Sequence, residues 1–164
     1  MKKTISVLVE NQAGVLNRIT SLFSRRAFNI DSLAVGVTDD PSLSRITIIV
    51  DSGNNMVDQV EKQLNKMVEV IKVLDFTDCS VCMKELLYVK VKKCSRHDKE
   101  EVFHIAEAFV GTIVDYGKDS VLVQFLHSAT KNDAIIKLMK EQFQSIEVVR
   151  GGSVGIEAIN MTQR

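Results

Sequence analysis

The chain has 164 residues, 21 lysines and arginines against 21 aspartates and glutamates, 45% hydrophobic residues, one proline and no tryptophan. That balance describes a globular chain and excludes disordered, collagenous and disulfide-stapled classes, while zero formal net charge supplies no basic face for nucleic acid. The length suits one ordinary domain, or two small ones of roughly 80 residues that each bury a modest core and gain from partners.

Met1, Lys2 and Lys3 followed by an apolar stretch over 5–9 imitate an export signal only until Glu10 and Asn11 stop the run. No segment approaches the roughly 20 apolar residues that span a bilayer, so no membrane association and a cytoplasmic location are expected. Ile5, Val7 and Val9 alternate as a strand, and Asn11-Gln12-Ala13-Gly14 interrupts it. Val15, Leu16, Ile19, Leu22 and Phe23 then form one apolar helical stripe, with Arg18, Arg25 and Arg26 on the other faces. Residues 30–37 and 44–50 are β-rich runs around the turn-forming Thr38-Asp39-Asp40-Pro41-Ser42 and predict a hairpin. Asn54 or Asn55 can cap a helix that carries Val57, Val60, Leu64 and Met67 inward, and 68–76 closes a βαββαβ order.

Residues 77–84 lack periodicity, and the same order then recurs. Strand 86–91 leads to a helix over 99–110 that buries Val102, Ala106, Phe109 and Val110. Strands 112–116 and 121–126 flank a Gly117-Lys118-Asp119 turn. A helix over 131–143 buries Ile135, Leu138, Met139 and Phe143, and strand 146–149 ends the set. The expected fold is therefore α+β, two ferredoxin-like βαββαβ domains over 1–77 and 84–164, each a four-stranded antiparallel sheet with two helices on one face. Uncovered sheet faces and open edges predict pairing, most simply as a symmetric dimer.

Cys79-Ser80-Val81-Cys82 and Cys94-Ser95-Arg96-His97 together make a formal Cys₃His zinc inventory. The intervening strand of about ten residues holds the pairs some 30 Å apart, so reduced, unliganded cysteines are expected and no metal site. His97, His104 and His127 lie in no catalytic motif, and surface or turn roles are expected for His104 and His127. Gly151-Gly152-Ser153-Val154-Gly155 matches a phosphate loop in glycine content alone and reads as a flexible tail, while Asp39-Asp40 reads as turn chemistry ahead of a Mg²⁺ site.

One constellation remains: Asn11, Gly14, Val15 and Leu16 at a strand-to-helix junction, with Asn29 before the next strand. First-turn N–H groups of a helix can hold a carboxylate, and asparagine amides suit both an ammonium and a carboxylate. At this level two readings stay open: a small-ligand site, or a helix cap and a chain turn. No nucleophile or general base is nearby, so such a site binds and does not react.

At these residues the sequence resembles the regulatory (small) subunit family of acetolactate synthase, also called acetohydroxyacid synthase. The resemblance rests on residues 10–18, 22–33, Thr38-Asp39-Asp40-Pro41, Ser44-Arg45-Ile46-Thr47, Gln63-Leu64-Asn65-Lys66 and Val70-Ile71-Lys72-Val73. The second half resembles the family in Lys84-Glu85-Leu86-Leu87 and in residues 109–115. It departs near Leu126-His127-Ser128, which lacks the glycine usual there, and at 151–155, which lacks the typical ending.

The resemblance implies an ACT domain in the first half and a more variable domain in the second. It implies a non-catalytic subunit of branched-chain amino acid biosynthesis that activates a separate large subunit and confers feedback by a branched-chain amino acid, usually valine. Thiamine diphosphate, FAD and Mg²⁺ are then expected in the large subunit, and no cofactor in this chain. Carried over by residue, the effector sits between two ACT domains of a homodimer, its carboxylate on the backbone of Gly14, Val15 and Leu16 and held by Asn11. Asn29 and Ile30 come from the facing protomer, and Val35 helps form the apolar pocket. The alternative is a stand-alone amino-acid sensor acting on another protein.

Overall fold

The computed structural model describes residues 2–26, 28–51, 57–76 and 79–159, with the backbone alone at 57 and 58. The chain divides into two compact units, Met1–Met83 with Ser153–Arg164, and Lys84–Gly152.

In the first unit the order is β1 (Lys2–Glu10), α1 (Val15–Ser24), β2 (Ile30–Val37), β3 (Leu43–Asp51), α2 (Val57–Leu64) and β4 (Val70–Asp75). The antiparallel sheet runs β2-β3-β1-β4. Alternation fixes its register: Ile5 lies opposite Ile48 and Val7 opposite Ile46, so their side chains share the face on which Val15, Ile19 and Phe23 of α1 and Val60 and Leu64 of α2 are buried. Phe28 meets Phe23 edge-on at 6.3 Å, closing the core where the chain leaves α1. Asn54 and Asn55, the expected caps of α2, lie outside the described residues.

The opposite face carries Ser6 and Thr47, directly paired and almost fully buried. The end of the chain reaches this face, where the Ser153 N–H donates to Ser32 Oγ at 3.1 Å and Ser153 is itself buried. This face is thus closed in part by the protein's own last strand.

The second unit is built on β5 (Val81–Lys92), α3 (Arg96–Ala108), β6 (Thr112–Tyr116), β7 (Ser120–His127), α4 (Ala129–Gln142) and β8 (Ile146–Glu157), in sheet order β6-β7-β5-β8. Leu87, Val89 and Val91 face Val121, Val123 and Phe125 across the β5–β7 ladder, and the helices add Val102, Ile105, Ile135 and Met139 to one core. Among the described residues no helix is long and apolar enough to cross a membrane.

The elements differ from expectation where side chains act on backbone. Helix α3 begins at Arg96, ahead of residue 99, because Ser95 and Asp98 form a capping box: Ser95 Oγ accepts from the Asp98 N–H at 3.1 Å and Asp98 Oδ2 from the Ser95 N–H at 2.7 Å. Hydrogen bonding from the Ser95 hydroxyl and from the Ser95 N–H holds the Asp98 carboxyl below the usual range. Ser128 likewise starts α4 at Ala129 by accepting from the Lys131 N–H. Lys99 is buried, its ammonium donating to the carbonyls of Gly117 and Lys118 at 2.8 and 2.6 Å, and so fixes the β6–β7 turn. His127 is buried as well, not a surface or turn residue: its Nε2 donates to the Phe109 carbonyl, one of those left free at the end of α3.

The largest correction concerns residues 151–155, which are strand and not a flexible tail. A Cβ on Gly155 would lie 3.1 Å from the Phe76 ring and 3.2 Å from Val81, and one on Gly151 3.4 Å from Leu86. Gly155 thus serves close approach of backbone to neighbouring segments rather than freedom, while the contact at Gly151 is an ordinary one. β8 extends to Glu157, and from Ser153 onward it packs with the first unit.

Val110 adopts φ 52° and is exposed, a left-handed conformation that a β-branched side chain resists. Val110→Gly should therefore raise stability by about 1 kcal/mol, read as a higher urea midpoint with an unchanged slope.

Candidate effector site

The β1–α1 junction is tied to the β2–β3 hairpin. The Asn11 N–H donates to the Ser42 carbonyl at 2.7 Å, and Asn11 Nδ2 donates to the Pro41 carbonyl at 2.9 Å. The hairpin end is stiffened in turn by Asp40, whose Oδ1 accepts from the Ser42 N–H and hydroxyl at 2.9 and 2.7 Å. Those donors hold the Asp40 carboxyl below the ordinary range, so Asp40 acts within the turn.

Gly14 caps α1 at φ 87°, ψ −13°, with nothing within 4 Å of the place a Cβ would take. The glycine is demanded by conformation, and the space beside it is open. The Val15 N–H reaches the Gln12 carbonyl at 3.3 Å, whereas the N–H groups of Leu16 and Asn17 precede any partner four residues back in the helix, and no side chain caps them. With the helix dipole behind them they can hold an anion. Val15 is buried below this opening and Leu16, 40% exposed, forms its apolar rim. Arg18 pairs with Glu69 at 2.9 Å and steadies the outer flank of α1.

Asn29 and Ile30 lie at the other end of the sheet. Ile30 shares a row with Val50 and Lys3, while Asn11 follows the row of Glu10 and Leu43. Seven strand steps separate those rows, about 23 Å. Asn29 Nδ2 donates to Asp31 Oδ1 at 2.9 Å, and Asp31 pairs with Lys2 at 3.2 Å. One chain therefore gathers Asn11, Gly14, Val15 and Leu16 but not Asn29 and Ile30. Val35 lies on the edge strand β2 opposite Ile46, half-exposed and nearer the Asn11 end.

The cysteine and histidine candidates are dispersed. Cys79 and Cys82 are exposed thiols of the first unit; Cys94 is a buried thiol of the second, and burial pushes its pKa up. Among the described residues no three His, Cys, Asp or Glu side chains come together as a metal site. A polar cluster unforeseen from sequence lies in the second unit. Buried Glu85 accepts from Arg150 Nε and Nη2 at 2.9 and 2.7 Å and from Asn132 Nδ2 at 3.1 Å, while Asn132 Oδ1 has no hydrogen-bond partner among the described residues. The available signal was a glutamate falling on the inward alternation of β5.

Residues 5–72 match the family described as AHAS small subunit-like ACT domain, and residues 84–159 match the small subunit of acetolactate synthase. The acetolactate synthase small subunit of Haemophilus influenzae is 39% identical over 156 residues, 95% of each chain. The chain belongs to the acetolactate synthase small-subunit family. The Bacillus subtilis small subunit is 41% identical, covering 93% of this chain and 88% of that protein. The crystal structure of the acetolactate synthase small subunit from Thermotoga maritima superposes with a TM-score of 0.86 at 32% identity, covering 98% of this chain and 99% of that one. In this acetolactate synthase small-subunit fold the Asn11–Leu16 junction lies wholly within the ACT match and β5 to β8 largely within the second.

Gly14→Ala should cost about 1 kcal/mol through its left-handed φ, while Asn29→Ala, exposed and bonded only locally, should change stability by less than about 0.5 kcal/mol, both read by urea denaturation.

Proposed function

We propose that this chain is the regulatory, non-catalytic subunit of acetolactate synthase in branched-chain amino acid biosynthesis. It associates with the large catalytic subunit in the cytoplasm, raises its activity and confers feedback inhibition by a branched-chain amino acid, valine above the others. Thiamine diphosphate, Mg²⁺ and FAD belong to the large subunit, and this chain binds none of them.

The observation that carries the effector part is the open, glycine-capped start of α1, where uncapped N–H groups stand beside the Asn11 amide above an aliphatic rim. A zwitterion with a branched side chain matches that set: carboxylate to the N–H groups around Gly14, Val15 and Leu16, polar contact to Asn11, and an aliphatic body against Leu16 and Val35. Asn29 and Ile30 complete the site from a second protomer, in keeping with their distance from Asn11 within one chain. The edge strand β2 supports a homodimer, since Ile30–Val37 has one charged residue and no proline to discourage pairing. An effector shared by two protomers favours one packing of the dimer, and only that difference in affinity can bias the enzyme.

Isothermal titration of the purified chain with valine should give saturable binding, with a component that is lost in Asn11→Ala and Gly14→Asp; an undiminished isotherm in both variants removes this site. The partnership is tested by mixing with an acetolactate synthase large subunit. Co-elution and raised activity are expected, and their absence overturns the regulatory reading.

A further inference from the structure

The Ser44-Arg45-Ile46-Thr47 stretch places a cation on the helix-free face of the first sheet. Arg45 stands opposite Leu8 on β1 and Gly36 on β2. The one side-chain hydrogen bond of Arg45 among the described residues is to Ser6 Oγ at 3.3 Å, a neutral partner at the long end of the range, and no carboxylate of those residues pairs with it. A half-buried guanidinium with most of its five donors unused is built for a carboxylate.

Beside it is a notch. Gly36 lacks a positive φ and has nothing within 4 Å of where a Cβ would stand, so neither backbone nor crowding requires glycine there. The missing side chain leaves a groove of about 480 Å³, within the range of small-ligand sites, with Arg45 and Leu8 on its floor. Val154 and Ile156 of β8 stand over it 62% and 64% exposed, although the intervening Gly155 is held against Phe76 and Val81. Asp39 closes the hairpin end, and no ion pair to it is formed by the described residues. One cation, one anion and an aliphatic wall form the complement of an aliphatic α-amino acid.

We propose that the Arg45 groove is a second amino-acid site on the first unit, separate from the Asn11–Leu16 junction. Arg45 takes the carboxylate, Asp39 the ammonium, and Leu8, Val154 and Ile156 the side chain, with Gly36 supplying the space. The choice of a branched-chain amino acid as probe rests on the regulatory reading above; the groove itself does not. A ligand seated here touches β8, the strand that continues into the sheet of the second unit, so occupancy restrains the end of the chain.

The test is methyl NMR of the full chain titrated with valine. Saturable shifts are expected at the Leu8, Val154 and Ile156 methyls in the wild type and equally in Asn11→Ala. Arg45→Gln and Gly36→Val should each weaken that binding about tenfold or more, the loss of a charge-assisted contact in one and of space in the other, while Arg45→Lys retains part of it. Asp39→Asn should weaken valine, and the oxo acid of valine's carbon skeleton should bind the wild type poorly. Unmoved Leu8, Val154 and Ile156 methyls, undiminished binding in Gly36→Val, or equal binding of the oxo acid would each overturn the proposal. Gly36→Val keeps the test readable should Arg45→Gln fail to fold, since a β-branched residue suits an open strand position. Failure of the effector reading above registers separately, as unmoved Val15 and Leu16 methyls.

Discussion

A four-stranded sheet with both helices on one side must find cover for its other side, and the first unit meets that requirement with the far end of its own chain. Ser6 and Thr47, opposed across β1 and β3, are almost fully buried on that face, and Ser153 bonds to Ser32 on the same face. Hydroxyls so placed must be satisfied internally, and Ser6 Oγ accepts from Arg45. The arrangement requires residues without side chains where strands cross closely, hence Gly155 against Phe76 and Val81. The edge of the covering strand also decides where the open groove begins, so the polar interior, the glycine and the exposed Val154 and Ile156 have one cause.

Much of this was legible in the order of residues. Alternating Ile5, Val7, Val9 and the stripe Val15, Ile19, Phe23 have periods that allow only one face to be buried, so strands and helices follow directly. The same holds for Leu87, Val89 and Val91. What was hidden depends on partners far along the chain. Nothing near Lys99 announces that its ammonium will hold the turn carbonyls at 117 and 118, nor does anything near His127 announce Phe109. The glycines of 151–155 were ambiguous because glycine permits both freedom and close approach, and at Gly155 only the neighbours Phe76 and Val81 decide between them. At the junction, Gly14 was readable because a strand-to-helix turn needs a left-handed residue, whereas the bond from Asn11 to Pro41 spans 30 positions. Asn29 stands far from Asn11 on the sheet, and no single-chain geometry joins them.

Exposed and buried ion pairs play different parts. In the first unit the ion pairs Lys2–Asp31 and Arg18–Glu69 have at least one well-exposed member and contribute little beyond orientation. In the second unit Glu85 is buried, and its carboxylate is held on both oxygens by Arg150, itself paired with Asp133 at 2.6 Å. A buried pair of this kind contributes modestly as a whole, yet removing one member leaves an uncompensated charge. It joins β5, α4 and β8 at one end of the core, so the last strand is held to the second sheet by charge as well as by its ladder. The equal numbers of acidic and basic residues are therefore not a uniform surface coating.

The sharing of β8 between units bears on how such a protein can be inherited and rearranged. Two halves with the same element order invite description as beads on a string, each free to be duplicated, swapped or fused elsewhere. Here the string passes back: cutting near residue 80 would strip the first half of Ser153 to Glu157 and bare Ser6, Thr47 and the apolar surface around Phe76 to water. The first half is thus a module by sequence and a dependent by structure, and a lineage that transplanted it alone would have to supply another strand in the same place.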